Sequence, residues 1–391
     1  MKFLALSVVV LDFVPRVGIC VQLSSLLLGC IYIFRAFIYK EKISLVNICS
    51  IGFMLYCYCV KDYRVDFWRS LGFKKETANS VMVVTIVSLA LSECLNNKEK
   101  RDKFISYIVN SCLVLAAYIL FIVKGNILIG LHGEGMHDLL EQYGINSNNI
   151  GAILSVGFLL AHYQAMKNKT RLSRICEYVL LLFALSSGSR KVIVYILVGI
   201  TTFYFLKNGA LALNSRTINS FFKALIMGSV LVIAAYYVFI KIEFFYELIG
   251  RRIDALITFL TSGDTGDNSL GVRDDMIKMG WRYFDQNPWF GNGLNAFGNF
   301  YKSILGRVTY AHNNFIELLV SVGIIGTFLY YVRYAIVLKT LIFKNICVQD
   351  AIISAVIIAI ICSDVGAVTY YYKFYYMVFG LAAAAVIHRN K

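Results

Sequence analysis

The chain has 391 residues, of which 59% are hydrophobic and only 16% are charged, and its mean hydropathy is +0.67. A soluble domain is about one quarter charged, so this composition excludes an ordinary soluble protein. Apolar runs of ~20 residues, each long enough to cross ~30 Å of hydrocarbon, recur along the chain. The runs are continuous and do not alternate, which excludes a transmembrane barrel. The sequence therefore predicts an all-α, polytopic transmembrane helical bundle.

Hydropathy predicts about twelve spans within one integral membrane domain, residues 1–391. The predicted spans cover residues 3–14, 17–39, 43–60, 78–95, 104–124, 148–166, 174–189, 191–206, 221–241, 314–338, 350–368 and 374–388. The segment 3–14 shows no small-residue cleavage site, so we interpret it as a short first span rather than a signal peptide.

The net charge of +15 lies mostly in short basic blocks between the spans, as the positive-inside bias predicts. We therefore expect membrane lipids and no nucleic acid as partners, although some of the surplus is available to an anionic lipid-linked substrate. With both termini in the cytoplasm, nearly every inner connection is basic. The exception is Lys61–Lys75, which is basic yet falls outside.

Three polar segments share the predicted outer face. They are the smaller loop 125–149, the SSGSRK turn at Ser186–Lys191 and the large loop 241–313 of 73 residues. A loop of that length is uncommon unless it is functional or disordered, and the aromatic content of this one argues against disorder. Helical spacing predicts an interfacial amphipathic helix over 272–284. Asn287-Pro288 is expected to stop that helix, and glycines 291, 293 and 298 to allow a tight backbone afterwards.

Two arginines on this face are candidates for catalysis. Arg190, with Lys191 beside it, either snorkels to set the depth of a helix or grips phosphate oxygens in a bidentate way. Arg273 opens the predicted interfacial helix and precedes Asp274 and Asp275. It either pairs with these acids or binds an anion.

His312 lies where the large loop re-enters the membrane, and it is the only histidine of that loop. It is either a hydrogen-bonded structural residue or a base that takes a proton from a sugar hydroxyl. Asn313 and Asn314 follow, and they are expected to hold its tautomer or to bind hydroxyls.

A metal site is not expected. His132, Glu134 and His137 are interrupted by glycines and match no common helical spacing, so surface contacts or acceptor binding are the better interpretation. The ten cysteines lie almost entirely inside apolar runs, which favours small buried hydrophobes over a disulfide framework.

Taken together, these stretches resemble the O-antigen polymerase and O-antigen ligase superfamily of bacterial membrane glycosyltransferases. The resemblance rests on the order of three segments and a weaker fourth one: Leu185–Val192 (LSSGSRKV), Gly271–Phe297 with its Arg, Asn-Pro and G-x-G, Ala311–Gly326 (AHNNFIELLVSVGIIG) and Asn146–Gly151 (NSNNIG).

The resemblance implies transfer of an undecaprenyl-pyrophosphate-linked glycan on the outer face of the bacterial cytoplasmic (inner) membrane, without cofactor, nucleotide sugar or metal. Arg190 and Arg273 would hold the pyrophosphate leaving group, and His312 would orient or deprotonate the acceptor. The candidate substrate-binding residues are Lys191, Asn313, Asn314, Trp281, Trp289 and Tyr301. For the three aromatic residues, interfacial anchoring is an equal alternative to stacking on sugar rings.

Polymerase and ligase share these residues. We favour a polymerase, which joins the glycan to another lipid-linked repeat unit, over a ligase, which joins it to lipid A-core. A lipid-linked oligosaccharide flippase or other transporter is a third interpretation, which predicts charges inside spans and pseudo-repeated halves. A chain-length regulator and a flippase are the protein partners that a polymerase would meet.

Overall fold

The fold is helical throughout the part of the chain that a computed structural model describes. The described residues are 1–10, 27, 29, 43–63, 76–122, 146–187, 189, 191–207, 237, 268–343 and 346–389. They form twelve helices: α1 Lys2–Val9, α2 Leu45–Cys59, α3 Glu76–Cys94, α4 Lys98–Ile122, α5 Ser147–Asn168, α6 Arg171–Ser186, α7 Lys191–Lys207, α8 Asn268–Phe284, α9 Ala296–Leu305, α10 Asn314–Ile342, α11 Val348–Ser363 and α12 Lys373–Ile387. Within these ranges the only β-type pairing is one isolated bridge, between Asp62 and Leu294. The all-α prediction is therefore confirmed for these residues.

Among the described residues, four helices are long and apolar enough to cross a membrane: Thr77–Cys94 within α3, and the whole of α4, α5 and α10. Three shorter apolar helices, α2, α11 and α12, coincide with other predicted spans. Apart from residues 27, 29 and 237, the predicted spans 17–39 and 221–241 lie outside the described residues, so the number of twelve spans stays a prediction.

Two helix ends differ from the predicted span ends. Helix α4 begins at Lys98, so the KEKRDK block is helical rather than a loop. Asn97 caps this end, because its side-chain oxygen accepts the N–H of Lys100 at 2.8 Å. Helix α11 ends at Ser363, which leaves Asp364 outside the helix rather than inside a span that reaches residue 368. Hydropathy detects the apolar part of a helix and not its capped ends.

The chain divides into two compact units. The first contains Met1–Gly18, Asp102–Asn268 and Leu341–Cys362, and the second contains Ile19–Arg101, Ser269–Thr340 and Ser363–Lys391. The segment Gly271–Gly326 lies entirely in the second unit, whereas the SSGSRK turn lies in the first.

Buried polar side chains join the helices of the first unit. Asp102 of α4 accepts hydrogen bonds from Tyr163 and Lys167 of α5 and from Gln349 of α11, at 2.7, 2.5 and 2.7 Å. His162 of α5 lies 2.7 Å from Glu177 of α6 and 3.1 Å from Tyr204 of α7. Asp102 thus connects helices that are distant in sequence, and His162 joins α5 to the next two helices.

Tight packing of α3 against α12 characterises the second unit. A Cβ on Gly380 of α12 would lie 2.9 Å from the carbonyl oxygen of Ser88, so only glycine allows this approach. Nearby, Arg333 of α10 is fully buried, and its guanidinium lies 4.4–5.7 Å from the centroids of five aromatic rings. Cation–π attraction partly offsets the cost of burying this charge.

Candidate active site

Helix α8 carries Arg273, although the helix begins earlier than the sequence indicated. It starts at Asn268, so Arg273 lies in its second turn and no acid occupies its first turn. Asp274 and Asp275 therefore do not lie at the helix N-terminus. Asp274 instead pairs with Lys278 one turn later, at 2.5 Å, and this hydrogen bond raises the pKa of Lys278.

Helix α8 packs on the start of α10 through small and apolar residues. A Cβ on Gly280 would lie 2.2 Å from Cγ2 of Ile316, so the two helices are in close contact. They share a buried cluster that α9 completes: Met276, Ala296, Phe297, Tyr301, Ala311, Ile316 and Val320. Met276 follows Arg273 by one turn and Ala311 precedes His312, so both candidate residues border this cluster.

The chain turns tightly after α8, as Asn287-Pro288 predicted. The helix ends at Phe284, and Gly291 and Gly293 follow with φ values of 76° and 109°. We call residues 288–293 the glycine turn. Gly298, by contrast, lies within α9, where it allows close packing rather than a bend.

Helix α10 is broken inside its apolar sequence. Gly323 has φ 65° and ψ −170°, a conformation that is almost restricted to glycine. Such a break frees backbone N–H and C=O groups, which no water satisfies at membrane depth. We call this feature the Gly323 break.

The glycine turn satisfies the backbone groups that the break frees. Four main-chain hydrogen bonds join them: Asn292 N–H to Val320 C=O at 2.8 Å, Gly293 N–H to Ser321 C=O at 2.9 Å, Ile324 N–H to Pro288 C=O at 2.9 Å and Ile325 N–H to Trp289 C=O at 3.3 Å. Two segments about thirty residues apart thus form one interlocked element, which we call the interlock.

No side chain fits between the turn and the break. A Cβ on Gly323 would lie 2.4 Å from the carbonyl oxygen of Trp289 and 2.5 Å from the nitrogen of Gly291. A Cβ on Gly291 would meet the nitrogen of Gly323 at 2.5 Å. Gly291 and Gly323, one glycine from each family-like motif, are therefore both required by the same close contact.

Leu294, which follows the glycine turn, binds the start of Lys61–Lys75, the basic segment that is an exception to the positive-inside bias. Leu294 donates its N–H to Lys61 C=O at 2.6 Å and accepts the N–H of Tyr63 at 3.0 Å. Asp62, between them, accepts the N–H groups of Thr77 and Ala78 in the first turn of α3. The basic segment therefore begins beside the large loop, which agrees with the face that the orientation gives it.

His312 has an unusual backbone conformation, with φ 52°, in the left-handed region. Its ring centroid lies 4.1 Å from that of Tyr310, and the side chain is partly exposed. Left-handed conformations are uncommon for residues other than glycine, although asparagine, aspartate and histidine are enriched among the exceptions, and such conformations cluster at functional sites.

Asn313 caps helix α10. Its side-chain oxygen accepts the N–H groups of Phe315 and Ile316, at 2.9 and 3.1 Å. A capping oxygen of this kind satisfies donors that the first turn of a helix leaves free. The cap defines where the helix begins, at Asn314, two residues after His312. The predicted roles in holding the tautomer or binding sugar hydroxyls stay predictions.

Asn314 is fully buried and fastens α10 to residues 364–370. Its Nδ2 donates to Tyr331 Oη and Asp364 Oδ2 at 3.0 and 3.1 Å, and its Oδ1 accepts the N–H groups of Thr369 and Tyr370 at 2.9 and 3.2 Å. Both donors and both lone pairs of the amide are thus engaged. A sugar hydroxyl would have to displace one of these partners, and the substrate-binding role of Asn314 stays a prediction.

The three aromatic candidates differ in exposure. Trp281 and Trp289 are 48% and 61% exposed, so each presents a ring face to a ligand or to lipid. Tyr301 is only 2% exposed, since it belongs to the buried cluster between α8, α9 and α10. Stacking on a sugar therefore suits the two tryptophans better than Tyr301.

In the first unit, the NSNNIG and LSSGSRKV segments lie against each other. Asn148 accepts a hydrogen bond from the hydroxyl of Ser189 at 2.8 Å. A Cβ on Gly151 would lie 2.6 Å from the hydroxyl oxygen of Ser187, so glycine is required for this contact. Lys191 begins α7 directly after the turn, and Arg190 lies outside the described residues.

The predicted site residues are thus distributed between two units. Arg273, Trp281, Trp289, Tyr301, His312, Asn313 and Asn314 belong to the second unit, and Lys191 belongs to the first. Sequence reasoning gave no role to two buried acids, Glu317, which accepts the N–H of Ala311, and Asp364, which accepts a hydrogen bond from Asn314. A carboxyl group within or next to an apolar helix was the available signal, because such groups are expensive in a membrane. No group of three His, Cys, Asp or Glu side chains suited to a metal occurs among the described residues, and His132 and His137 lie outside them.

Comparison with known proteins connects this arrangement to a family. Residues 178–331, which include Arg190, Arg273 and His312, match the model of a family described as O-antigen ligase. No curated protein matches the chain. The match begins in α6 and ends in α10, so it contains both the SSGSRK turn and the interlocked element. This part of the chain is therefore similar to the O-antigen ligase family, which supports the resemblance to the O-antigen polymerase and ligase superfamily that the sequence motifs predict.

Proposed function

We propose that the protein is a polysaccharide polymerase of the O-antigen or capsule type. It transfers an undecaprenyl-pyrophosphate-linked glycan to the acceptor sugar of another lipid-linked repeat unit. The reaction takes place on the outer face of the cytoplasmic membrane and needs no metal. The N- and C-termini lie in the cytoplasm.

The observation that supports this proposal best is the packing of the second unit. Helix α8 carries Arg273 and packs on the start of α10, directly after His312. The interlock then joins the two segments a second time. The segments that carry Arg273 and His312 lie far apart in sequence, and both contribute residues to one buried cluster.

The proposed chemistry is an inverting displacement at the anomeric carbon. The acceptor hydroxyl forms a new C–O bond, and the bond between the anomeric carbon and the pyrophosphate oxygen breaks. The hydroxyl proton passes to His312, and undecaprenyl pyrophosphate leaves with the electron pair. Because pyrophosphate is a good leaving group, catalysis needs mainly positioning and charge stabilisation, which Arg190, Arg273 and one base can supply.

Ligation to lipid A-core is the second candidate, and the description of the matching family favours it. The two reactions share the donor and the leaving group, and they differ only in the acceptor. Loss of a polymerase leaves single repeat units on the final acceptor, whereas loss of a ligase leaves that acceptor bare. The gel pattern of surface glycan from the native host distinguishes them.

A transporter would use charges inside its spans. Helix α10 contains two buried charged residues, Glu317 and Arg333. Glu317 binds a backbone N–H, and Arg333 lies among aromatic rings. Both side chains thus have structural surroundings of their own, so they do not favour transport over glycosyl transfer.

Alanine variants of Arg190, Arg273 and His312 test the proposal. Each should abolish chain growth in the native host while the protein still accumulates in the membrane. Arg282→Ala is the matched control, because it removes an exposed arginine from the last turn of α8. We expect it to give normal chains. Normal chain length in all three test variants would refute the catalytic assignment.

A further inference from the structure

The conformation of His312 requires support from its neighbours. At φ 52° its backbone lies in the left-handed region, which costs a residue with a Cβ free energy relative to the helical or extended regions. Such a conformation persists only where the surrounding structure determines it. The residues on either side of His312 show how this happens.

Ala311, immediately before His312, is held by a side chain from α10. Its N–H donates to Oε2 of Glu317 at 2.9 Å, and both residues are buried. Asn313, immediately after His312, is held by its capping bonds to the first turn of the same helix. His312 is therefore a single residue between two anchored neighbours.

The buried carboxyl group of Glu317, which holds Ala311, costs folding free energy at this position. It is 1% exposed and lies in the first turn of a helix that is long and apolar enough to cross a membrane. A buried carboxyl group destabilises a membrane helix unless it has partners, so an apolar residue would suit this position better. The hydrogen bond described for Glu317 is directed to the N–H next to His312.

Capping alone does not account for Glu317. Asn313 already satisfies the N–H groups of Phe315 and Ile316, which are donors of the first turn. Glu317 instead reaches back past the cap to a residue outside the helix. Its bond with Ala311 closes a loop around His312 and fixes the direction in which the chain enters α10.

We infer that Glu317 is a positioning residue for His312. Its carboxyl oxygen anchors Ala311, so that His312 keeps the left-handed backbone and the ring keeps its place beside Tyr310. This inference rests on the proposed function, because it assumes that the orientation of His312 matters for glycosyl transfer. An error of 1 Å in the position of a catalytic group lowers rates by up to about 100-fold.

Two substitutions separate the anchor from the charge. Glu317→Gln keeps a side-chain oxygen that can accept the Ala311 N–H, and Glu317→Ala removes it. We expect the glutamine variant to retain chain growth in the native host. The alanine variant should reduce it by about 10- to 100-fold. If Glu317→Ala does not accumulate, Glu317→Asp serves instead, because its shorter side chain withdraws the oxygen from Ala311.

The decisive measurement does not depend on activity. Diethyl pyrocarbonate modifies exposed imidazoles, and mass spectrometry of the His312 peptide gives the rate constant and its pH midpoint in purified protein. Glu317→Ala should raise the rate several-fold, because the ring is no longer held beside Tyr310. Glu317→Gln should react like the unchanged protein. Glu177→Ala, which removes a buried glutamate of the first unit, should also leave the His312 rate unchanged.

An unchanged His312 rate and pH midpoint in Glu317→Ala would overturn the inference. So would equal rates in the alanine and glutamine variants. The proposed function fails separately, if His312→Ala still supports normal chain growth. A wild-type level of chain growth in Glu317→Ala, together with none in His312→Ala, would refute the positioning role and leave the proposed function standing.

Discussion

Substitution of Gly323 by alanine should destabilise the second unit. The added Cβ would lie 2.4 Å from the carbonyl oxygen of Trp289 and 2.5 Å from the nitrogen of Gly291. Both contacts are with backbone atoms, which cannot rotate away as a side chain can. Either α10 straightens or the glycine turn moves off the break, and each outcome breaks hydrogen bonds between them.

The loss of folding free energy that we expect for Gly323→Ala has two sources. An alanine at φ 65° and ψ −170° is strained by about 1–3 kcal/mol. Separation of the turn from the break leaves buried backbone groups unpaired, at about 1–3 kcal/mol for each group. With one or two groups affected, the total is roughly 2–9 kcal/mol. This is a large part of the stability of an ordinary domain.

Two glycines of the same unit provide graded controls. Gly306 also has a positive φ, of 73°, but a Cβ there would meet nothing within 4 Å, so Gly306→Ala introduces strain alone. We expect that variant to cost roughly 1–2 kcal/mol. Gly52 lies in α2 with open space around it, and Gly52→Ala should be neutral or stabilise by up to about 1 kcal/mol.

The assay is thermal unfolding of the purified protein in detergent or nanodiscs, followed by the loss of the monodisperse peak on size exclusion. The midpoints should fall in the order Gly52→Ala, Gly306→Ala, Gly323→Ala, with a clear gap before the last. Equal midpoints for Gly306→Ala and Gly323→Ala would show that the interlock does not stabilise the unit.

Two further predictions concern contacts that the sequence did not reveal. Gly151→Ala should separate NSNNIG from the SSGSRK turn, since its Cβ would lie 2.6 Å from Ser187 Oγ. We expect about 1–3 kcal/mol of destabilisation in the same thermal assay. An unchanged unfolding midpoint would refute this contact. Asp364→Leu should destabilise the second unit by roughly 2–5 kcal/mol, because it leaves three donors without their acceptor, whereas Asp364→Asn should be milder; equal midpoints for the two variants would contradict this role. The donors are Asn314, Tyr331 and Thr369.

Much of the helical content could be predicted from hydropathy. Several predicted spans agree with observed helices to within a few residues, as for 191–206 and Lys191–Lys207. The reason is that a span must be apolar over its whole length, which one sequence displays directly. The amphipathic spacing of 272–284 likewise predicted α8, because helical periodicity is a local property.

The Gly323 break could not be predicted in this way. It lies within VSVGIIG, where every neighbour is compatible with a continuous helix, so hydropathy shows nothing unusual. The break exists because a partner segment supplies its hydrogen bonds. Those partners precede Gly323 by about thirty positions. The glycines after Asn287-Pro288 were predicted to allow a tight backbone, but in α10 only the family-like segment that ends in Gly323–Gly326 indicated a role for glycine.

At the candidate site, the sequence likewise indicated the residue types but not their hydrogen-bond partners. The sequence indicated Arg273 and His312 by their chemistry, and the asparagines by their position beside His312. It did not reveal that Asn313 caps a helix or that Asn314 bonds to residues about fifty positions later. Amide side chains suit sugars and backbone groups equally well, so the residue type alone does not decide between these partners.

The interlock also determines how this protein can be engineered. A common way to alter the specificity of an enzyme is to exchange a loop with that of a relative. Here the glycine turn and the first half of α10 supply each other's backbone partners, so a graft of either piece alone would present mismatched donors and acceptors. A workable chimera must take residues 288–326 as one cassette. Directed variation of acceptor choice is then best placed at exposed side chains of that cassette, such as Trp289, whose ring takes no part in the backbone bonding.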